Sequence, residues 1–207
     1  MARTKDSCGR FLVLDGVDGC GKSTQATRLA ERLSVAGQEV LHVREPGTTA
    51  VGESLRTLLL DADVHLEASV ETLLFAAARR QLLDELVGPA LERGAHVVCE
   101  RFHASTYAYQ AVAGELEPTA VMGLLESWAS DPAPHLELIL DLDPETALGR
   151  RGADSDRIEA KGLAFQQAVA RGYGRYAELR GTARLVDASG SLDGVSELIW
   201  EEVQRVL

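Results

Sequence analysis

The sequence predicts an α/β fold: a doubly wound parallel sheet of about five strands, flanked by helices and carrying a short lid. Three observations predict it. Short apolar runs alternate with longer amphipathic stretches along the chain, the pattern of a parallel sheet wrapped by helices. The first apolar run passes into a glycine-rich turn that opens a helix, a strand–turn–helix unit. No internal repeat, low-complexity tract or linker divides the 207 residues, so a single domain over 1–207 is expected.

Phe11-Leu12-Val13-Leu14 reads as a buried strand after a loose leader, and the helix that follows runs from about Lys22 to Val35. Ala36-Gly37 ends it, and Val40–Val43 is a second strand. Beyond the Pro46-Gly47 turn, Val51–Leu60 reads as a helix. A longer one runs from about Leu66 towards Val87 and should end near Gly88-Pro89. Ala95–Cys99 is the third strand, followed by helices over His103–Ala113 and Pro118–Trp128. Leu136–Leu140 is the fourth strand, and Asp143-Pro144 supplies an N-cap followed by proline in the favoured first helical position. A polar segment from Arg150 to Arg157 interrupts the pattern and is read as the lid, about 150–158. A helix over Glu159–Leu179, a strand at Arg184–Val186 and a helix over Leu192–Val206 complete the chain.

Composition narrows the classes of function. Hydrophobic residues make up 45% and charged residues 26%, an ordinary globular balance. No apolar run approaches the roughly 20 residues that cross a bilayer, so no membrane partner is expected. The first ten residues lack the apolar stretch of a secretory signal. A net charge of -11 repels phosphate backbones at long range and argues against nucleic acid, although a few focused arginines can still govern a cleft. Three cysteines without CxxC spacing suggest neither disulfides nor a zinc site, and a cytoplasmic location is expected.

Gly16-Val17-Asp18-Gly19-Cys20-Gly21-Lys22-Ser23 matches GxxxxGK[ST], the P-loop, between a strand and a helix where its chemistry requires it. Successive backbone N–H groups can wrap phosphate oxygens, and the helix N-terminus, with Thr24 in its first turn, adds positive potential. Lys22 can reach the β- and γ-phosphates of ATP, and the Ser23 hydroxyl can ligate Mg2+. Asp18 sits inside this anion cradle, so its carboxylate should turn away from the phosphates; it is either an acceptor for a second substrate's hydroxyl or a solvated loop residue. A guanine-reading NKxD is absent, which argues against a GTPase switch.

Four further segments carry a family resemblance. Arg44-Glu45-Pro46-Gly47-Thr48-Thr49, Leu73-Leu74-Phe75-Ala76-Ala77-Ala78-Arg79, Glu100-Arg101-Phe102 through Ala108-Tyr109-Gln110, and Asp156-Arg157-Ile158-Glu159 resemble the REPGGT, LLFAAxR, DR(Y/H)…SS…AYQ and DR(I/F/L)E segments of bacterial thymidylate kinases. They fall in the same order and at similar spacing, from about Phe11 to Tyr173, with a weaker echo at Asp187-Ala188-Ser189. The resemblance implies transfer of the γ-phosphate of ATP to dTMP with Mg2+, and a homodimer. The competing readings are a related kinase with another acceptor, or an ATP-binding regulatory protein of low activity.

Phe75 and Arg79 stand i, i+4 on one helix face, where a ring and a guanidinium can read a pyrimidine; core packing is the alternative for Phe75. The resemblance implies that Phe75 stacks on thymine, that Arg79 contacts the base, and that Thr106 and Gln110, with Ser105 beside them, bind at the pyrimidine edge. It makes Tyr109 the aromatic that crowds the sugar's 2′ position, and Arg56 and Arg101 the groups that hold the acceptor phosphate. Glu45 is implied to lie near the acceptor and the metal's waters. Glu100 is either a water-mediated Mg2+ ligand or a partner that orients Arg101.

A further cation is needed near the bridging oxygen during transfer. The family takes it from an arginine after the P-loop carboxylate or from the lid. That loop position is Gly19 here, so Arg150, Arg151 and Arg157 are the candidates, with helix capping the alternative for Arg150 and Arg151. The chain departs from the family pattern in having Glu100 for aspartate, Thr48 for glycine, and Ala111 after Tyr109-Gln110.

Overall fold

A computed structural model describes residues 9–150, 157–158 and 161–207. The leader over 1–8, most of the expected lid, including Arg151 and Asp156, and the expected helix start at Glu159 lie outside the described residues.

The five expected strands are present: β1 (Phe11–Gly16), β2 (Val40–Arg44), β3 (His96–Glu100), β4 (Leu136–Asp141) and β5 (Ala183–Asp187). They form one parallel sheet in the order β2-β3-β1-β4-β5. Side chains alternate between faces along a strand. Phe11 and Val13 accordingly join a cluster with Val43, Leu83 and Phe102, while Leu12 and Leu14 join the larger cluster with Leu29, Leu138 and Tyr173. Covering both faces leaves Phe11–Leu14 with no exposure, which is why the central strand reads as an unbroken apolar run. The chain reverses winding direction between β1 and β3, so a crevice opens at their carboxyl ends. Register places Leu14 and Arg44 opposite Glu100, so β2 and β3 deliver polar residues beside the carboxyl end of β1.

Helices α1 (Lys22–Val35), α2 (Ala50–Leu60), α6 (Pro118–Trp128), α8 (Gly162–Leu179) and α9 (Leu192–Gln204) agree closely with the pattern read from the sequence. Asp143 caps α7 (Pro144–Gly149) as expected, its carboxylate accepting from the Thr146 N–H. Among the described residues no helix is long and apolar enough to cross a membrane.

Two helices differ from expectation. The one expected to stop near Gly88-Pro89 continues: α3 (Ala68–Leu82) passes through a π-helical turn (Leu83–Val87) into α4 (Gly88–Glu92). Within an α-helix proline lacks the bonding N–H and clashes with the carbonyl four residues back. The wider turn, in which the Gly88 N–H reaches Leu83 C=O, puts Pro89 into the first turn of a new α segment. The helix over 103–113 likewise divides into α5 (His103–Thr106) and a π-helical stretch (Tyr107–Ala113) carrying Tyr109 and Gln110. Helix α8 crosses that stretch so closely that a Cβ at Gly172 would stand 2.7 Å from Ala108 Cα.

Candidate active site

The P-loop lies at the carboxyl end of β1. Its Gly16, Gly19 and Gly21 have φ of 136°, 89° and 96°, values that favour glycine. Gly16 is constrained by space as well, since a Cβ there would lie 2.6 Å from Leu140 O and 2.9 Å from Cys20 Sγ. Val17 and Cys20 are buried beneath the loop. Lys22 bends over the loop, its Nζ donating to Val17 O at 2.8 Å and standing 3.6 Å from Asp18 Oδ1.

Ser23 and Glu100 converge: Ser23 Oγ donates to Glu100 Oε2 at 2.5 Å, and His42 Nε2 lies 3.0 Å from Glu100 Oε1. Burial pushes the Glu100 carboxyl up, but the hydrogen bonds and charges of His42, Ser23 and Lys22 together bring it below its ordinary value. Among the described contacts Glu100 does not hold Arg101, which removes the orienting role weighed for it. That role belongs to Asp18 and Asp15.

Arg101 Nη2 pairs closely with Asp18 Oδ1, and Tyr109 Oη donates to Asp18 Oδ2 at 2.8 Å. Arg101 Nη1 donates to Ser105 Oγ at 3.0 Å and lies 3.9 Å from Asp15 Oδ1. The backbone of Arg101 is left-handed (φ 69°), an uncommon conformation for a non-glycine residue, and its N–H is tied to Leu14 O. Burial disfavours the Arg101 charge, yet Asp18, Tyr109, Tyr173 and Asp15 hold it well above its usual range. Burial raises the Tyr109 hydroxyl well above its ordinary value, with Asp18 reinforcing and Arg101 opposing the shift.

Asp15 underlies this arrangement. It is fully buried and accepts from the N–H groups of Gly16, Phe102 and Ser105, from Ser105 Oγ at 2.7 Å and from Tyr173 Oη at 2.6 Å. It thereby fixes the P-loop's first glycine to the segment that carries Arg101.

A cavity of about 400 Å³ adjoins the loop. It is lined by Asp18, Lys22 and Ser23 of the loop and by Arg56, Phe75, Arg101, Tyr109 and Gln110 from the rest of the fold. Arg56 Nη1 donates to Pro46 O at 3.0 Å. Arg79 and Thr106 lie behind the wall, Arg79 Nη2 donating to Thr106 Oγ1 at 3.2 Å. Arg79 Nε pairs with Glu45 Oε2 at 2.6 Å, and Arg79 Nη1 and Glu45 Oε1 are buried without a hydrogen-bond partner among the described residues. Burial pushes the Glu45 carboxyl up to about 7 against the opposing charge of Arg79.

The turn at Thr48 keeps the backbone that a glycine would favour. Its φ is 69°, and Thr48 Oγ1 accepts from the Arg44 N–H at 3.0 Å while the Thr48 N–H donates to Glu53 Oε1 at 2.8 Å. These bonds oppose a left-handed cost of about 1–2 kcal/mol.

The three arginines expected in the lid fare differently. Arg157 donates from Nε and Nη2 to Leu59 O (3.0 and 2.8 Å) and from Nη1 to Glu71 Oε1 (2.6 Å), so its guanidinium is engaged with α2 and α3 rather than turned to the P-loop. Arg150 is exposed at the end of α7, its N–H on Ala147 O, in the capping position considered for it. Arg151 lies outside the described residues.

Sequence reasoning missed Asp15, Glu71, His42 and Tyr173. Asp15 had a signal, a carboxylate ending an apolar strand beside the loop. Glu71 had one too, four residues before Phe75 and eight before Arg79 on the same helix face. His42 and Tyr173 come from distant elements and had none.

Comparison with known proteins is consistent with this geometry. The family model described as Thymidylate kinase matches residues 14–199. The chain is 40% identical over 207 residues to the thymidylate kinase of Syntrophotalea carbinolica, covering 95% of this chain and 96% of the relative. It is 42% identical over 195 residues to that of Jannaschia sp. (91% and 93% covered) and 36% over 192 residues to that of Rhodopirellula baltica (92% and 78%).

Proposed function

The chain belongs to the thymidylate kinase family, and on that premise we propose that it phosphorylates dTMP to dTDP with ATP as phosphate donor. One observation carries the reading at the level of chemistry. The P-loop residues Lys22 and Ser23 line one and the same cavity as Arg56, Phe75, Arg101, Tyr109 and Gln110, so two anionic nucleotides can meet in it.

Each side has its own task. The loop amides and Lys22 hold the β- and γ-phosphates and neutralise charge that spreads over the transferred group. Arg101 and Arg56 take the acceptor phosphate, because a planar guanidinium fork can donate to two phosphate oxygens at once where an ammonium acts as a point charge. Asp18 holds Arg101 and, with Tyr109, stands where the deoxyribose lies. Phe75 stacks on the base, Gln110 reads its edge, Thr106 behind the wall accepts from Arg79, and Ser105 steadies Arg101. Arg79 Nη1, buried behind that wall and without a hydrogen-bond partner among the described residues, is left to reach a base carbonyl. Arg150, Arg151 and Arg157 remain the lid candidates for the cation at the bridging oxygen; Arg157 must first leave Glu71 and Leu59.

Mg2+ fits the oxygens present. The Ser23 hydroxyl and the Glu100 carboxylate converge within a hydrogen bond, and hard oxygen donors of this kind are what the ion takes alongside water and phosphate. Ser23 would hold it directly and Glu100 through water. When bound it offsets charge on the β- and γ-oxygens.

A homodimer is supported by exposed apolar side chains on neighbouring helices: Val51 and Leu58 on α2, Val70 and Leu73 on α3, and Trp128 at the end of α6. Free thiols at Cys20 and Cys99 suit a reducing compartment, in keeping with a cytoplasmic site.

The test is phosphate transfer from Mg·ATP to dTMP, dUMP, dCMP, dGMP and AMP in parallel. Preferred turnover of dTMP is expected, and preferred turnover of any other acceptor overturns the reading.

A further inference from the structure

Gln110 reaches the cavity wall with one end of its amide already committed. Its Nε2 donates to Glu71 Oε2 at 2.9 Å, and Glu71 is only 1% exposed. The other carboxylate oxygen accepts from Arg157 Nη1 at 2.6 Å, with Lys161 Nζ 3.6 Å away. An ionised carboxylate accepts hydrogen bonds and donates none, whereas an amide has an NH2 on one side and a carbonyl on the other. The amide end that faces Glu71 must therefore be the NH2, a conclusion fixed by chemistry rather than by the likeness of O and N. What remains for the cavity is the carbonyl oxygen, an acceptor.

We infer that Glu71 is a positioning residue for base specificity: it locks the Gln110 amide so that the site accepts a pyrimidine carrying hydrogen on N3 and rejects one whose N3 is a bare acceptor. The inference rests on the reading that this cavity holds the base of dTMP. Thymine and uracil carry the N3 hydrogen and can donate it to the Gln110 carbonyl. Cytosine sets a lone pair against that carbonyl, and both acceptors lose water without gaining a donor. A free glutamine could turn its amide over and welcome either base. Glu71 removes that option, because inversion would set two acceptors against each other in a buried place.

The same carboxylate also holds Arg157, so its loss will disturb the neighbourhood of the lid. The ratio of two acceptors isolates the specificity role, since a lid defect lowers both. Steady-state kcat/KM for dTMP and for dCMP is compared in the wild type, Glu71→Gln and Gln110→Met, with circular-dichroism melting to establish folding. Glu71→Gln can donate as well as accept and frees Gln110 to invert. The dTMP-to-dCMP ratio should then fall about tenfold or more. Gln110→Met should lower it too, since it removes both the attraction for one base and the repulsion of the other. A ratio that stays put in folded Glu71→Gln overturns the inference. Should that variant fail to fold, an unmoved ratio in Gln110→Met overturns it instead. A wild type that does not turn over dTMP is a different result, and it refutes the site reading itself.

Discussion

Arg79 and Glu45 form an ion pair buried on both sides, with Nε 2.6 Å from Oε2 and side-chain exposures of 2% and 4%. The pair ties α3 to the turn after β2 beneath the cavity. Arg79 also lies over the Phe102 ring, 4.8 Å from its centroid, so the guanidinium links three segments.

Removing one partner leaves the other charge buried alone, which costs far more than removing both. Arg79→Met should destabilise the fold by about 3–5 kcal/mol. Adding Glu45→Gln should restore part of that loss. Urea denaturation of the two variants checks both statements; a double variant no more stable than the single one contradicts them.

Among the described residues Lys22 makes its polar contacts with Val17 O, Asp18 and Cys20 Sγ, all within the loop. Lys22→Ala should keep the fold while lowering turnover about a hundredfold or more, as expected for a charge aimed at the transferred group. Initial rates at saturating Mg·ATP measure this. Unchanged turnover would make that charge dispensable.

The Ser23–Glu100 hydrogen bond gives a prediction about metal. Glu100→Gln keeps the size of the side chain but removes its charge, and the Mg2+ concentration for half-maximal activity should rise about tenfold or more. Titration of activity with Mg2+ at fixed ATP reads it, and an unmoved midpoint excludes Glu100 from metal binding.

His103 predicts the acid limb of stability. It is buried and stacked on Phe102 at 4.3 Å, with Nε2 2.7 Å from Ala129 O; burial, aided by the charge of Arg79, pushes its pKa down to about 3. The unfolded chain therefore takes up this proton at higher pH than the folded one. The contribution is fully present above the ordinary histidine value of 6.5 and is lost as pH falls from there towards about 3. Unfolding free energies from pH 8 to 4 should decline on the acid side more steeply for the wild type than for His103→Gln. Parallel curves would contradict the assignment.

Much of the fold was legible because its signals are local. Apolar runs marked the five strands, GxxxxGK[ST] fixed the phosphate loop, and Asp143-Pro144 fixed a helix start. Pro89 misled because its usual effect assumes α-helical bonding, and a π turn depends on packing that no short window of sequence records.

The sequence by itself determined the order of the elements and the phosphate loop, which follow from local pattern and spacing, while the residues expected at the acceptor came from its resemblance to a family. Tertiary structure alone decided the partnerships: Asp15 with Tyr173, Glu100 with Ser23, Arg79 with Glu45, and Arg157 with Glu71 rather than the P-loop. The reason is physical. A buried charged group takes its state from whatever lies within a few ångströms, and those neighbours come from residues 34 to 158 positions away.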